Sequence, residues 1–178
     1  MTDSGKIFDG LLVLQYRAGK KKALGLLVRK YHKRLCKHSY WYTNDIDASK
    51  DIVQDCWGSI ITKLDSLKEP NFFGSWAFRI VTRKSLDYVK RRKKERGTLK
   101  EYYSSQIIEE SKIGDNTDVL KLGKAIQNLT KDQQMVLRLF YTESYSLNEV
   151  SDILGISIGT VKSRLFHARE KLKTFLKK

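Results

Sequence analysis

A single proline, Pro70, interrupts 178 residues. A chain so poor in the residue that breaks helices is free to build long ones, and Pro70 marks a stop, since it lacks an amide donor and clashes with the turn before it. Cysteine is scarce as well. Cys36 and Cys56 stand apart with no metal-ligand spacing around them, which excludes a disulfide scaffold and a zinc site and leaves two buried, reduced thiols as the expectation. The three histidines, His32, His38 and His167, are scattered, and no H-E-x-x-H, G-x-S-x-G or phosphate-binding glycine loop occurs. No catalytic residue, metal site or cofactor is therefore expected. Asp51 and Asp55 lie four residues apart on one helical face, but no third ligand joins them. The apolar stretch at residues 7–16 is broken by Asp9 and Gly10 and has no cleavage site of small residues. It predicts neither a signal peptide nor a membrane span, and a cytoplasmic protein with no membrane insertion. No segment alternates apolar and polar residues for long enough to require a sheet, so the fold class is all-α.

The most informative segment present is residues 147–172, LNEVSDILGISIGTVKSRLFHAREKL. Ser146 and Glu149 form an S-x-x-E capping box that opens a short helix carrying Val150, Ile153 and Leu154 on one face. Gly155 supplies the left-handed residue that closes it. Ser157 then caps a second helix whose apolar side is Val161, Leu165, Ala168 and Leu172. Thr160, Lys162, Ser163, Phe166 and His167 are left outward, with Arg164 beside them. From Gly155 onward Glu170 is the one carboxylate in the sequence. This pattern predicts a helix-turn-helix whose second helix reads base edges in a major groove. Lys162, Ser163, Phe166 and His167 are the candidates for the bases, and Thr160 and Arg164 for the phosphates. For Phe166 the alternative is packing against the first helix.

Charge is lopsided, with 35 Lys and Arg against 20 Asp and Glu and a formal net charge of +15, which points to a polyanionic partner. Residues 1–94 carry net +12, residues 95–120 net −3 and residues 121–178 net +6. Two basic lobes around an acidic strip suggest two nucleic-acid contacts joined by a tether that avoids nucleic acid. Helices are expected over about residues 8–17, from 21 with Leu24, Leu27, Val28, Tyr31 and Leu35 inward, over 48–67, and over 75–94 with Trp76, Ile80 and Leu86 inward. After a polar, glycine-containing linker, helices resume near Asp118 and at the Thr130–Gln133 capping box. The domains expected are residues 1–96, a flexible acidic linker at 97–117, and residues 118–178.

Three segments together resemble the extracytoplasmic-function sigma factors, the small two-domain branch of the bacterial sigma-70 family. DIVQDCWGSIITKL, residues 51–64, resembles the family's helix that binds core RNA polymerase. WAFRIVTRKSLDYVKRRKK, residues 76–94, is similar to the helix that melts and reads the minus-ten element. AIQNLTKDQQMVLRLFY with the helix-turn-helix resembles the domain that binds the minus-thirty-five element. The resemblance implies a protein that binds core RNA polymerase, directs it to promoters and promotes DNA opening, with an anti-sigma factor as a further partner. It implies polymerase contacts at Asp51, Gln54, Asp55 and Trp57, the last with core packing as its alternative. It places base capture in the loop LKEPNFFGS, at Asn71, Phe72 and Phe73, with Arg79, Arg83, Arg91 and Arg92 on the phosphates of the opened strand. The linker acids Glu95, Glu101, Glu109, Glu110, Asp115 and Asp118 would thread the polymerase cleft or serve as a solvated tether. One departure is that Thr82-Arg83-Lys84 stands where the family commonly shows arginine-x-x-asparagine. An autonomous helix-turn-helix regulator binding duplex DNA as a dimer is the competing class, and it predicts a sensor or dimerisation domain. An enzyme acting on nucleic acid would need the constellation that is missing.

Overall fold

The computed structural model describes residues 3–95 and 117–176, with the side chains of 4–95 and 121–176. Contacts divide the chain into two compact units, Met1–Ser104 and Ser105–Lys178. All regular structure among the described residues is helical.

The first unit holds α1 (Asp3–Arg17), α2 (Lys22–Thr43), α3 (Ile46–Lys63) and α4 (Phe73–Glu95). Its core is a continuous apolar interior of Val13, Leu27, Tyr31, Leu35, Val53, Cys56, Ile60, Phe73, Phe78 and Val81. Helix α2 ends at Asn44, held left-handed at φ 50°, and Asp45 then caps α3 by accepting from the amides of Asp47 and Ala48 at 3.1 and 3.0 Å. A side-chain carboxylate takes two of the amides a helix start leaves unpaired, a contribution of about 1 kcal/mol. Two short 3-10 turns, Leu64–Ser66 and Pro70–Phe72, connect α3 to α4. Pro70 opens the second of these, where its missing amide costs nothing.

Helix α2 runs through Tyr40, Trp41 and Tyr42 to Thr43. The expected inward face of the fourth helix needs correction. The inward face of α4 is Phe73, Ala77, Phe78, Val81, Thr82 and Ser85, whereas Trp76 and Ile80 are half-buried and Leu86 is exposed. The reason is a buried polar seam: His38 Nε2 lies 2.8 Å from Thr82 Oγ1 and Ser39 Oγ lies 2.9 Å from Ser85 Oγ. Each hydroxyl is satisfied by its counterpart on α2, so burying it carries no stranded hydrogen bond.

The second unit holds α5 (Thr117–Gln127), α6 (Lys131–Leu137), α7 (Leu147–Leu154) and α8 (Ile158–Leu176), with a π-helical turn over Arg138–Thr142 after α6. Both expected capping boxes form, at Thr130–Gln133 and Ser146–Glu149. Gln134 Nε2 donates to the carbonyls of Ile126 and Leu129, 3.0 Å each, closing the end of α5. Gly155 stands at φ 66°, and its amide bonds to the Ser151 carbonyl, so the turn between α7 and α8 uses the one conformation an L side chain resists. Val150, Ile153, Val161, Leu165 and Ala168 are buried together with Val136 and Leu139. This is a helix-turn-helix seated on α6.

Candidate nucleic-acid interface

Helix α8 presents Lys162, Ser163, Phe166 and His167 to solvent, and Thr160 is half-buried. Ser157 Oγ accepts from the Thr160 amide at 3.0 Å and lies 2.9 Å from its hydroxyl, so Thr160 is occupied in starting the helix. Phe166 is 55% exposed, which removes packing on α7 as its role. An exposed phenyl ring flanked by Lys162 and Ser163 is the kind of surface that meets a thymine methyl while neighbours donate to base acceptors. His167 lies to one side, lining an open depression with Gln133, Lys171 and Phe175. Arg164 is half-buried, and its Nη2 is 2.6 Å from Asp132 Oδ2 on α6. That pair ties α8 to α6 from the surface. The interaction follows from the fold, since Asp132 lies in a different helix and no local spacing announces it.

If this face reads DNA, Lys162→Ala should cost about 1–3 kcal/mol at one base position and little elsewhere in the site. Binding across a panel of single-base substitutions decides this. An equal loss on every sequence would make Lys162 a phosphate contact only.

In the first unit the chain brings an aromatic loop to the start of a basic helix. Asn71 and Phe72 are exposed, and Phe72 keeps 44% of its surface open. Phe73 does not join them. It is 0% exposed, meets Tyr31 edge-on at 5.3 Å and stacks on Trp57 at 6.5 Å between centroids. Assigning Phe73 to base capture is therefore corrected: it is the first residue of α4 and turns into the core. Arg83, Lys84, Lys90 and Arg91 are exposed along α4, and Arg79 is half-buried. Arg92 is half-buried, with its Nη1 3.2 Å from Asp45 Oδ2. The pair, together with the Ala48 amide as the largest cause, holds the Asp45 carboxyl below its ordinary range. Arg91 and Arg92 also lie over the Tyr88 ring at 5.9 and 5.7 Å, and Arg91 is 3.8 Å from Glu95 in an exposed pair of little strength. Arg79, Arg83, Arg91 and Arg92 remain as phosphate candidates.

On α3, Asp51, Gln54 and Asp55 are exposed along one side. Trp57 takes its alternative role, in the core: it is 7% exposed, and its Nε1 donates to His32 Nδ1 at 3.3 Å. Its neighbours Val53, Cys56 and Ile60 are buried with it. Cys56 is a free thiol pushed up to about 11 by burial. Cys36 is only half-buried, contrary to expectation, with Sγ 3.7 Å from His32 Nε2. The acids Glu101, Glu109, Glu110 and Asp115 lie outside the described residues, as does most of the expected linker; Glu95 ends α4 and Asp118 falls in α5. Among the described residues, no three metal-ligating side chains stand together and no helix is long and apolar enough to cross a membrane.

Fold and surface thus define an all-helical, two-unit chain whose second unit ends in a helix-turn-helix with a basic outer face. Comparison with known proteins narrows this. Sigma-70 region 2 matches residues 27–95, and sigma-70 region 4 matches residues 120–172. The ECF RNA polymerase sigma factor SigW of Bacillus subtilis is 27% identical over 177 residues, covering 93% of this chain and 95% of that protein. The ECF RNA polymerase sigma-E factor of Escherichia coli is 25% identical over 181 residues, covering 95% and 94%. Among solved structures, the sigma factor RpoE in complex with the anti-sigma factor NepR from Bartonella quintana superposes with a TM-score of 0.70 at 25% identity, over 88% of this chain and 98% of that one. The chain belongs to the extracytoplasmic-function sigma factors of the sigma-70 family, and its role is that of a sigma factor in transcription initiation.

Proposed function

We propose that this sigma factor binds core RNA polymerase through the exposed side of α3, places α8 in the major groove of a minus-thirty-five element, and opens the minus-ten element with the loop before α4. The observation that carries the reading is the pairing in one unit of an open aromatic side chain, Phe72, with a helix carrying the exposed cations Arg83, Lys84, Lys90 and Arg91. Aromatic rings stack on unpaired bases of any sequence while cations follow the backbone, which suits a separated strand. Duplex binding alone would need no such loop. The domain limits 1–96 and 118–178 fit this division of labour, with the acidic segment between them as a tether. Because the Bartonella relative is seen with an anti-sigma factor, a partner of that kind belongs to the proposal, and a cytoplasmic location follows from a polymerase partner.

Mixing separates this from an autonomous regulator. The chain with core enzyme should initiate from a cognate promoter, and the chain alone should give no specific duplex footprint. A strong footprint without polymerase would favour the regulator. The interface is tested by Gln54→Ala combined with Asp55→Ala. Both side chains are solvent-exposed, so the double variant should fold normally and bind core enzyme about tenfold or more weakly, the loss expected of a truncated interface anchor. Co-purification at wild-type strength would move the polymerase contact off this face.

A further inference from the structure

The loop between α3 and α4 is held by a helix that lies outside both matched regions: the region 2 match begins at residue 27, and α1 spans Asp3–Arg17. Three of its residues reach that loop. A Cβ built on Gly10 would stand 2.0 Å from Asn71 Oδ1 and 3.2 Å from the Asn71 amide nitrogen. The Asn71 side chain and backbone therefore rest on the α1 backbone in space that only glycine leaves open. Gly10 is not among the residues with positive φ, and glycine inside a helix is a poorer helix former than alanine. Close approach is what the glycine achieves here. One turn earlier, Lys6 Nζ stands 5.6 Å from the centroid of the Phe72 ring. At the far end of α1, Arg17 Nη2 donates to the carbonyls of Leu64 and Leu67 at 2.6 Å each and of Asp65 at 3.2 Å. These carbonyls end α3 and open the loop, so the guanidinium fixes where the loop departs.

We propose that α1 is the positioning element of the base-capture loop, with Gly10, Lys6 and Arg17 as positioning residues that set where Asn71 and Phe72 stand. The inference rests on the base-capture reading and adds the element that tunes it. Gly10→Ala forces the Asn71 amide to turn and the loop backbone to give by a few tenths of an ångström, while alanine favours the helix itself. The change therefore separates loop placement from the stability of α1. A role in folding alone would leave base discrimination untouched.

The test uses holoenzyme assembled from the full chain and core polymerase, and single-stranded oligonucleotides carrying each of the four bases at the captured minus-ten position. Gly10→Ala should lower affinity for the preferred oligonucleotide about tenfold, within the range of one lost base contact, and narrow its lead over the other three. Lys6→Ala should lose about threefold, in line with an exposed cation–π contact. The thermal midpoint and binding to core enzyme should stay at wild-type values. Gly10→Ala added to Asn71→Gly should lose much less than Gly10→Ala does in the wild-type chain, because the side chain that meets the new methyl at 2.0 Å is gone and only the backbone nitrogen at 3.2 Å remains. If Phe72→Ala weakens the oligonucleotide while Gly10→Ala and Lys6→Ala leave affinity and discrimination unchanged, α1 is a scaffold only and the proposal is overturned. If Phe72→Ala is itself without effect, the base-capture reading fails first and takes this inference with it. Should Gly10→Ala lower the thermal midpoint, the exposed edge of the contact decides through Lys6→Ala.

Discussion

Phe72→Ala should leave holoenzyme able to bind promoter duplex yet weaken the permanganate-reactive bubble at the minus-ten thymines at least severalfold. The ring stands open at the head of α4 with 44% of its surface free, and no buried group depends on it. Its removal therefore should not cost the first unit its fold. Stacking of a base on an aromatic side chain contributes about 1–3 kcal/mol, and a factor of ten in an equilibrium is about 1.4 kcal/mol. Losing the ring should shift the closed-to-open equilibrium by roughly five- to a hundred-fold. Phe73→Ala should behave in the opposite way. That ring is fully buried between Tyr31 and Trp57, so its truncation should cost about 3–5 kcal/mol of stability and lower every activity together. Permanganate footprinting with polymerase present, alongside urea unfolding of the free chain, reads both effects. A bubble that persists unchanged in Phe72→Ala would assign base capture to other residues.

The two adjacent phenylalanines show where sequence reading stops. Spacing placed an aromatic pair in a loop after Pro70, and no local rule distinguishes which ring faces water. The distinction depends on where α4 begins. Because Phe73 is its first residue, the helical period carries that position inward with Ala77 and Phe78. The same limit explains α4 further along, where Ile80 and Leu86 were expected inside and Thr82 and Ser85 are found there. Hydroxyls become inward-facing only when partners across the interface satisfy them, and His38 and Ser39 on α2 are remote in sequence. Signals that are local in chemistry were legible: Ser146 with Glu149, Thr130 with Gln133, and Gly155 each act within a few residues and appear as expected. The exposed members of the candidate DNA face, Lys162, Ser163, Phe166 and His167, were equally legible because one helical stripe, Val161, Leu165 and Ala168, fixes the opposite side. The ion pairs of Arg164 and Arg92 were not, since their acids, Asp132 and Asp45, are remote in sequence.

Asp9→Ala should destabilise the first unit by about 3 kcal/mol or more. Asp9 is 0% exposed, and its two oxygens are taken by Lys30 Nζ and the Tyr31 hydroxyl, each at 2.6 Å. Removing one partner of a buried ion pair costs about 3–5 kcal/mol, because the groups left behind have lost water and gained nothing. Here the cost divides unevenly. The Lys30 side chain is 29% exposed and can turn to solvent, whereas Tyr31 is fully buried and its hydroxyl would lose the carboxylate it donates to. The lower end of the range therefore applies. Asp9→Asn should lose less than Asp9→Ala, since an amide oxygen still accepts from Tyr31. Tyr31→Phe in the Asp9→Ala background should cost less than Tyr31→Phe in the wild-type chain, because the bond to Asp9 is already gone. Because Asp9 precedes Gly10, these variants should also weaken the hold of α1 on the Asn71–Phe72 loop, so open-complex formation should fall alongside stability. Urea midpoints at constant m-value give the stability order, and a loss below about 1 kcal/mol for Asp9→Ala would show that the pair is not what fastens α1.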